Sequence, residues 1–251
     1  MHKIKGLLFD IGGVLYVGDN MIPGANDAIA SLKTIYPMRF LTNTTRRTPL
    51  VMMDKLNAMG FSVKSEELFT ALDATKNYVI SQNGRVSTLL TDEAASWFKG
   101  LESDTPDFVV VGDAHLNFNY ERLNVAFRHL QEGAVLIAAA KNRYFQDEDS
   151  RLSMDAGGFI AGLEFAADVE AKIIGKPRKD FFHLAVASMG LDPEEVMMVG
   201  DDIISDIKGA QDAGLKTGLV KTGKFQSSDL DKGIIPDLCV DDVTELSSLL
   251  L

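Results

Sequence analysis

Four short segments of the 251-residue chain hold side chains that could do chemistry, and each lies where an apolar run ends. In LLFDIGGVLY (7–16) Asp10 closes the run and Gly12-Gly13 follow. A carboxylate there stands at the mouth of a parallel sheet, where α/β proteins bind ligands, and the glycines let the backbone turn sharply. In FLTNTTRRTP (40–49) Thr42 and Asn43 offer a hydroxyl and an amide to phosphate oxygens. Thr44, Thr45 or Thr48 can equally cap a helix that begins near Pro49. In IIGKPRKDFF (173–182) Lys176 follows a strand and a glycine and could neutralise a phosphoryl group as a point charge. In MMVGDDIISDI (197–207) Asp201, Asp202 and Asp206 gather at a further strand end. That all-oxygen set suits Mg²⁺, and acids at a helix start also suit the helix dipole. Singly, each segment reads as well as a turn or a cap. Together they supply a nucleophile, phosphate anchors, a cation and a metal site.

These segments need elements to carry them. Apolar, branched runs at 4–9, 38–42, 107–111, 135–140, 196–200 and 216–220 predict strands. Amphipathic patterns at 25–35, 48–59, 66–82, 120–131, 179–189 and 203–213 predict helices, the last stopped by Gly214. Such alternation implies α/β layers around a mostly parallel sheet. The polar stretch 141–157 reads as a long loop.

Composition narrows the function classes. At 46% hydrophobic and 24% charged the chain can bury a core, and its length matches about 1.7 domains. With 25 Lys and Arg against 36 Asp and Glu the net charge is −11, which disfavours a nucleic acid partner. No run of 18 apolar residues spans a membrane, and the N-terminal MHKIKGLLFD lacks the apolar core of a signal peptide. The single Cys239 fits a reducing compartment, so the expectation is a soluble, cytoplasmic protein. No G-x-x-x-x-G-K-[ST] occurs, and four histidines and one cysteine in no ligand spacing exclude a zinc enzyme. A receiver domain does not fit a chain of this length with its acceptor aspartate on the first strand.

The order of the four segments resembles that of the haloacid dehalogenase superfamily. Pro23-Gly24, TNTT at 42–45, GDAHLNFNYERLN at 112–124 and IIGKP at 173–177 resemble its subclass with a large α/β cap inserted after the second motif. DIGGVLY and KNRYF look closest to the branch of phospholysine, phosphohistidine and pyrophosphate phosphatases and their hydrolase-domain-containing relatives. The resemblance implies a Rossmann-like, doubly wound parallel core over 1–77 and 174–251, with a smaller α/β cap over 78–173. It implies a phosphohydrolase with Asp10 as the nucleophile that forms an aspartyl-phosphate. Thr42, Asn43 and Lys176 would hold the phosphoryl group. Asp10, the Gly12 carbonyl and Asp201 would ligate Mg²⁺, with Asp202 and Asp206 acting through water or as orienters. Asn142, Arg143, Tyr144 and His115 would meet a small phosphorylated substrate from the cap, and the protein would form a homodimer.

One position departs from the superfamily pattern. Two residues after the nucleophile most members carry an aspartate that serves as general acid and base; here stands Gly12. Loss of such a group typically costs about 10²- to 10⁴-fold in rate. The reading therefore favours activated phosphates, namely phosphoramidates, pyrophosphate and aryl phosphates, whose leaving groups depart without much help from an enzymic acid. The alternative is a catalytically weak or inactive phosphate-binding protein of the same fold.

Overall fold

Apolar runs at 38–42, 196–200 and 216–220 form strands over those same residues in the computed structural model, which describes residues 4–146 and 151–250. In chain order the first part gives β1 (Gly6–Asp10), the hairpin β2 (Tyr16–Val17) and β3 (Asn20–Met21), α1 (Ala25–Lys33), β4 (Met38–Thr42), α2 (Pro49–Ala58), β5 (Leu68–Thr70) and α3 (Ala71–Ser81). A second block follows with β6 (Val86–Leu89), α4 (Asp92–Ser96), β7 (Phe108–Val111), α5 (Tyr120–Gln131), β8 (Val135–Ala138), the hairpin β9 (Tyr144–Gln146) and β10 (Leu152–Met154), α6 (Ala156–Ala167) and β11 (Lys172–Ile173). The chain then returns through α7 (Lys179–Ala187), β12 (Val196–Gly200), α8 (Gly209–Asp212), β13 (Lys216–Val220), β14 (Leu238–Val240) and α9 (Val243–Leu250).

Among the described residues, the main sheet runs β14-β13-β12-β1-β4-β5 with every pair parallel. The chain winds outward from β1 through β4 to β5, and outward the other way from β12 to β14. The order reverses between β1 and β12, which is the doubly wound arrangement. Both faces are covered, so β1 runs apolar through Leu7, Leu8 and Phe9 rather than alternating, before ending in Asp10. Leu7 and Phe9 pack with Ile29, Leu32, Val243 and Leu246, while Leu8 packs with Phe181, Phe182 and Val186 on the other face. Full burial of each large side chain is worth roughly 1.5–3 kcal/mol.

The second block builds its own parallel sheet in the order β11-β8-β7-β6. Val109, Val111 and Leu136 face Leu130, Ile160 and Leu163, while Val110 and Ile137 face Leu72, Val79 and Phe98. Helix α3 thus packs on this sheet, and the expected boundary after residue 77 falls inside it.

Three local expectations change. The stretch 66–82 is not one helix: Leu68–Thr70 joins the sheet edge beside β4, and Thr70 then caps α3 by accepting from the Asp73 amide at 3.0 Å. The polar stretch 141–157 contains the hairpin of β9 and β10, with 147–150 outside the described residues. The helix at 203–213 opens with a widened turn over 203–208, where the Ile207 amide reaches back to the Asp202 carbonyl at 3.2 Å.

The return from β11 to the main sheet passes through Gly175. A Cβ there would lie 2.5 Å from Asn43 Oδ1, 2.8 Å from Ala71 Cβ and 2.9 Å from the Ala139 carbonyl. Gly175→Ala is therefore expected to destabilise the protein by about 1–3 kcal/mol, as overpacking does. Urea denaturation checks this; an unchanged midpoint would show that the crossing is loosely packed.

Candidate active site

The order reversal sets the C-terminal ends of β1, β4 and β12 side by side, and the chemistry-bearing residues lie there. Asp10 ends β1, Thr42 ends β4, and Asp201 follows β12. Lys176 follows β11, an edge strand of the second sheet, just before α7. Its ammonium donates to Asp10 Oδ1 at 2.5 Å and to Asp206 Oδ1 at 2.6 Å, and it is only 3% exposed. Asn43 holds the lysine's backbone from both sides: its Oδ1 accepts from the Lys176 amide at 2.9 Å and its Nδ2 donates to the Lys176 carbonyl at 2.8 Å. The same Nδ2 donates to Asn142 Oδ1 at 3.1 Å, tying the second block to this loop. The Thr42 hydroxyl accepts from the Thr44 amide at 3.0 Å. Of the three candidate caps, Thr48 takes that role by accepting from the Val51 amide at 3.4 Å.

The widened turn serves this geometry. Asp202 Oδ1 accepts from the Ile204 and Ser205 amides at 2.9 and 3.0 Å, which caps the turn. Asp206 then folds back, accepting from Lys176 Nζ through Oδ1 and from the Asp202 amide through Oδ2 at 3.1 Å. Widened turns of this kind are frequent at functional sites.

Burial and charge together shift the proton affinities of the site. Burial opposes the Lys176 ammonium, but Asp10 and Asp206 outweigh it and hold its pKa above the usual lysine value. Burial pushes Asp206 up to about 6 despite the lysine, with Asp10 and Asp202 adding to the rise. Burial and the Asp10 charge push Asp201 well above the usual carboxylate range, against the pull of Lys224. Asp202, opposed by burial, is nevertheless held low by Lys224 and by its amide donors.

Asp201 bears on what the site could hold. Its Oδ2 accepts from the Lys224 amide at 2.6 Å, while its buried Oδ1 has no partner among the described residues. Gly13 and Gly223 approach this carboxylate so closely, both with positive φ, that a Cβ on either would overlap it. One oxygen each from Asp10, Asp201 and Asp206 lies within 4.8 Å of the others. An orphaned buried oxygen among clustered carboxylates fits a hard divalent cation.

A cavity of about 540 Å³ opens over these groups. It is lined by Asp10, Gly12, Thr42, Asn43, Asn142, Lys176, Asp201, Asp202 and Asp206 of the residues singled out in the sequence. His115 and Arg143 are exposed and stand outside the lining, as does Tyr144 on β9. The lining also contains Lys224, Arg46, Asp113, Phe145 and Asp155, which sequence reasoning missed. Asp113 and Phe145 stand inside the segments GDAHLNFNYERLN and KNRYF, and two others also carried a signal. Gly223-Lys224 repeats after β13 the glycine-lysine pair of 175–176, and Arg46 stands inside the quoted TNTTRR segment.

This geometry agrees with what comparison with known proteins finds. The family model described as haloacid dehalogenase-like hydrolase matches residues 7–103, and a second, HAD-hydrolase-like, matches 173–246. The chain is 41% identical over 232 residues to haloacid dehalogenase-like hydrolase domain-containing protein 2 of Bos taurus, covering 92% of this chain and 89% of that protein. The chain belongs to the haloacid dehalogenase-like hydrolases. It is also 36% identical to the phospholysine phosphohistidine inorganic pyrophosphate phosphatase of Danio rerio, over 97% of this chain and 93% of that one. In structure it is similar to the 4-nitrophenylphosphatase of Thermotoga maritima, with a TM-score of 0.90, 26% identity and coverage of 99% and 98%. As a family member the chain is a hydrolase of α/β architecture. No helix among the described residues is long and apolar enough to cross a membrane.

Removing the Lys176 charge leaves Asp10 and Asp206 buried together without a cation. Breaking a buried pair in this way typically costs about 3–5 kcal/mol. Lys176→Met is expected to lose stability on that scale at neutral pH, read by urea denaturation in EDTA. A wild-type midpoint would mean that the two carboxylates do not depend on the lysine.

Proposed function

We propose that this hydrolase is a Mg²⁺-dependent phosphohydrolase that works through an aspartyl-phosphate on Asp10, with the segment 78–173 acting as the cap over the site. The observation that carries the reading is the meeting of Asp10 with Lys176, Thr42, Asn43 and the orphaned Asp201 carboxylate at the order reversal of the sheet. The names of the phosphatase relatives support it.

In this mechanism a carboxylate oxygen of Asp10 attacks phosphorus, the bond from phosphorus to the leaving group breaks, and the leaving group departs with the electron pair. Water then attacks the aspartyl-phosphate, which frees phosphate and a proton and restores the Asp10 carboxylate. Splitting one displacement into two easier steps is the benefit of a covalent intermediate. Lys176 balances charge on Asp10 and on the transferred group, Thr42 donates to a phosphoryl oxygen, and Asn43 keeps the loop and the lysine in register. Asp10, the Gly12 carbonyl and Asp201 would hold Mg²⁺, which when bound neutralises phosphoryl oxygens. Asp206 is committed to Lys176 and to the Asp202 amide, which suits an orienting role. Positioning and charge neutralisation would supply most of the rate.

Gly12 decides the substrate preference within this reading. Without an acid at that position, leaving groups that need a proton should react slowly, and phosphoramidates, pyrophosphate and aryl phosphates should be favoured. Phosphate release from 4-nitrophenyl phosphate, pyrophosphate, a phosphoramidate and a sugar phosphate, with Mg²⁺ and with EDTA, tests this. Metal-dependent turnover of the activated substrates is expected, falling by at least about 10³-fold in Asp10→Asn. Turnover that survives Asp10→Asn would overturn the mechanism.

A Cβ at Gly12 meets nothing within 4 Å, and the residue needs no positive φ, so a side chain can be accommodated. Gly12→Asp is expected to raise sugar phosphate turnover by about 10²-fold, at the lower end of the usual contribution of a general acid. No gain would show that proton transfer does not limit the wild-type enzyme.

A further inference from the structure

Arg46 lies at the wall of the cavity with most of its hydrogen-bonding capacity still available. Its Nε donates to Asp113 Oδ2 at 2.8 Å, and its guanidinium carbon sits 5.3 Å from the centre of the Phe145 ring. Asp113 is itself held: Oδ1 accepts from the His115 amide at 3.0 Å, and its own amide donates to Thr45 Oγ1 at 2.7 Å. Gly112 permits that approach, since a Cβ there would come within 2.6 Å of the Thr45 hydroxyl. The Arg46 carbonyl accepts from Thr91 Oγ1 at 2.8 Å, so the backbone is fixed as well. The guanidinium is thereby oriented from one edge and stacked on one face. Its two Nη groups have no hydrogen-bond partner among the described residues.

The other cations of the cavity each face a carboxylate. Lys176 is shared by Asp10 and Asp206, Lys55 bonds Asp19 and the Gly18 carbonyl, Arg47 pairs with Glu93, and Lys224 faces Asp202 at 3.6 Å. Asp155 accepts from the Ala156 amide at 2.6 Å and caps α6. Lys224 is a point charge facing Asp202 and Arg47 turns one Nη to Glu93, whereas Arg46 keeps both Nη groups without a partner among the described residues, as a planar fork matched to the paired oxygens of a phosphate or carboxylate.

We infer that Arg46, oriented by Asp113 and Phe145, reads the leaving group and selects substrates whose leaving group carries its own anionic oxygens, as the second phosphate of pyrophosphate does. This rests on the phosphohydrolase reading and sharpens it. Among activated phosphates, those with an anionic leaving group are preferred over neutral aryl esters and over phosphoramidates of basic amines. The pairing is chemically consistent with Gly12, because a phosphate leaving group departs without a proton donor at that position.

The test compares wild type, Arg46→Met and Asp113→Asn on pyrophosphate and 4-nitrophenyl phosphate with Mg²⁺. A charge-assisted hydrogen-bond pair is worth about 10- to 100-fold. The ratio of kcat/KM for pyrophosphate to that for 4-nitrophenyl phosphate is expected to fall by that factor in Arg46→Met. A smaller fall in the same direction is expected in Asp113→Asn. An unchanged ratio, whether both substrates slow together or neither does, overturns the inference and makes Arg46 a structural residue. A second readout does not depend on turnover. Calorimetric titration of Asp10→Asn protein should show pyrophosphate binding at least about 10-fold tighter than orthophosphate, and the double variant Asp10→Asn/Arg46→Met should lose that difference. Equal affinities in both proteins overturn the inference even if wild type hydrolyses neither compound. Absence of hydrolysis with the affinity difference intact would instead count against the phosphohydrolase reading.

Discussion

The Lys176 ammonium, buried between Asp10 and Asp206, is the interaction on which the rest of the site depends. Three charges taken out of water carry a desolvation cost that their mutual attraction only about offsets, so the triad is a weak source of stability. Its effect is on arrangement. Lys176 can reach Asp10 only if the chain leaving β11 returns beside β4, and Asp206 can reach Lys176 only if the turn after Asp202 is widened. Apolar burial on both faces of the main sheet stabilises the frame in which those two conditions hold together.

The loop after β4 is the second shared element. Thr42 at the end of β4 and Asn43 just after it face the site, and the residues that follow bond to segments just beyond β6 and β7 of the second sheet. Thr45 meets Asp113, Arg46 meets both Asp113 and Thr91, and Arg47 meets Glu93. Asn43 adds the link to Asn142. The loop is therefore held from both sides, so Thr42 and Asn43 and the Arg46 proposed to read the leaving group share one fixed piece of backbone. Preorganisation of this kind lets fixed dipoles and charges act without reorganising.

Much of this was legible in the residues. Strands at 38–42, 196–200 and 216–220 and the helix at 120–131 follow directly from period and composition. Strand β5 was not legible, because LFT continues without a break into the amphipathic pattern of α3 and only pairing with β4 makes it a strand. The hairpin in 141–157 was hidden because its strands are only three residues each inside a charged stretch, too short for a period to register, and Leu152 and Met154 stay exposed. The widened turn at 203–208 follows from side-chain bonds of Asp202 and Asp206 that no periodicity registers.

The sequence by itself determined the layer class, the strand ends where polar chemistry begins, and the kinds of group available there. These depend on patterns of two or 3.6 residues and on side-chain chemistry, both of which are local. Only the tertiary structure decided which strand ends are neighbours. Asn43 clasps a lysine 133 residues away, Asp206 is held by that lysine, and Asp113 turns Arg46 toward the cavity while His115 and Arg143 stand outside it. Contacts over such separations are fixed by the winding order of the sheet and by how close its packing lets two backbones come, and no short stretch of residues carries that information.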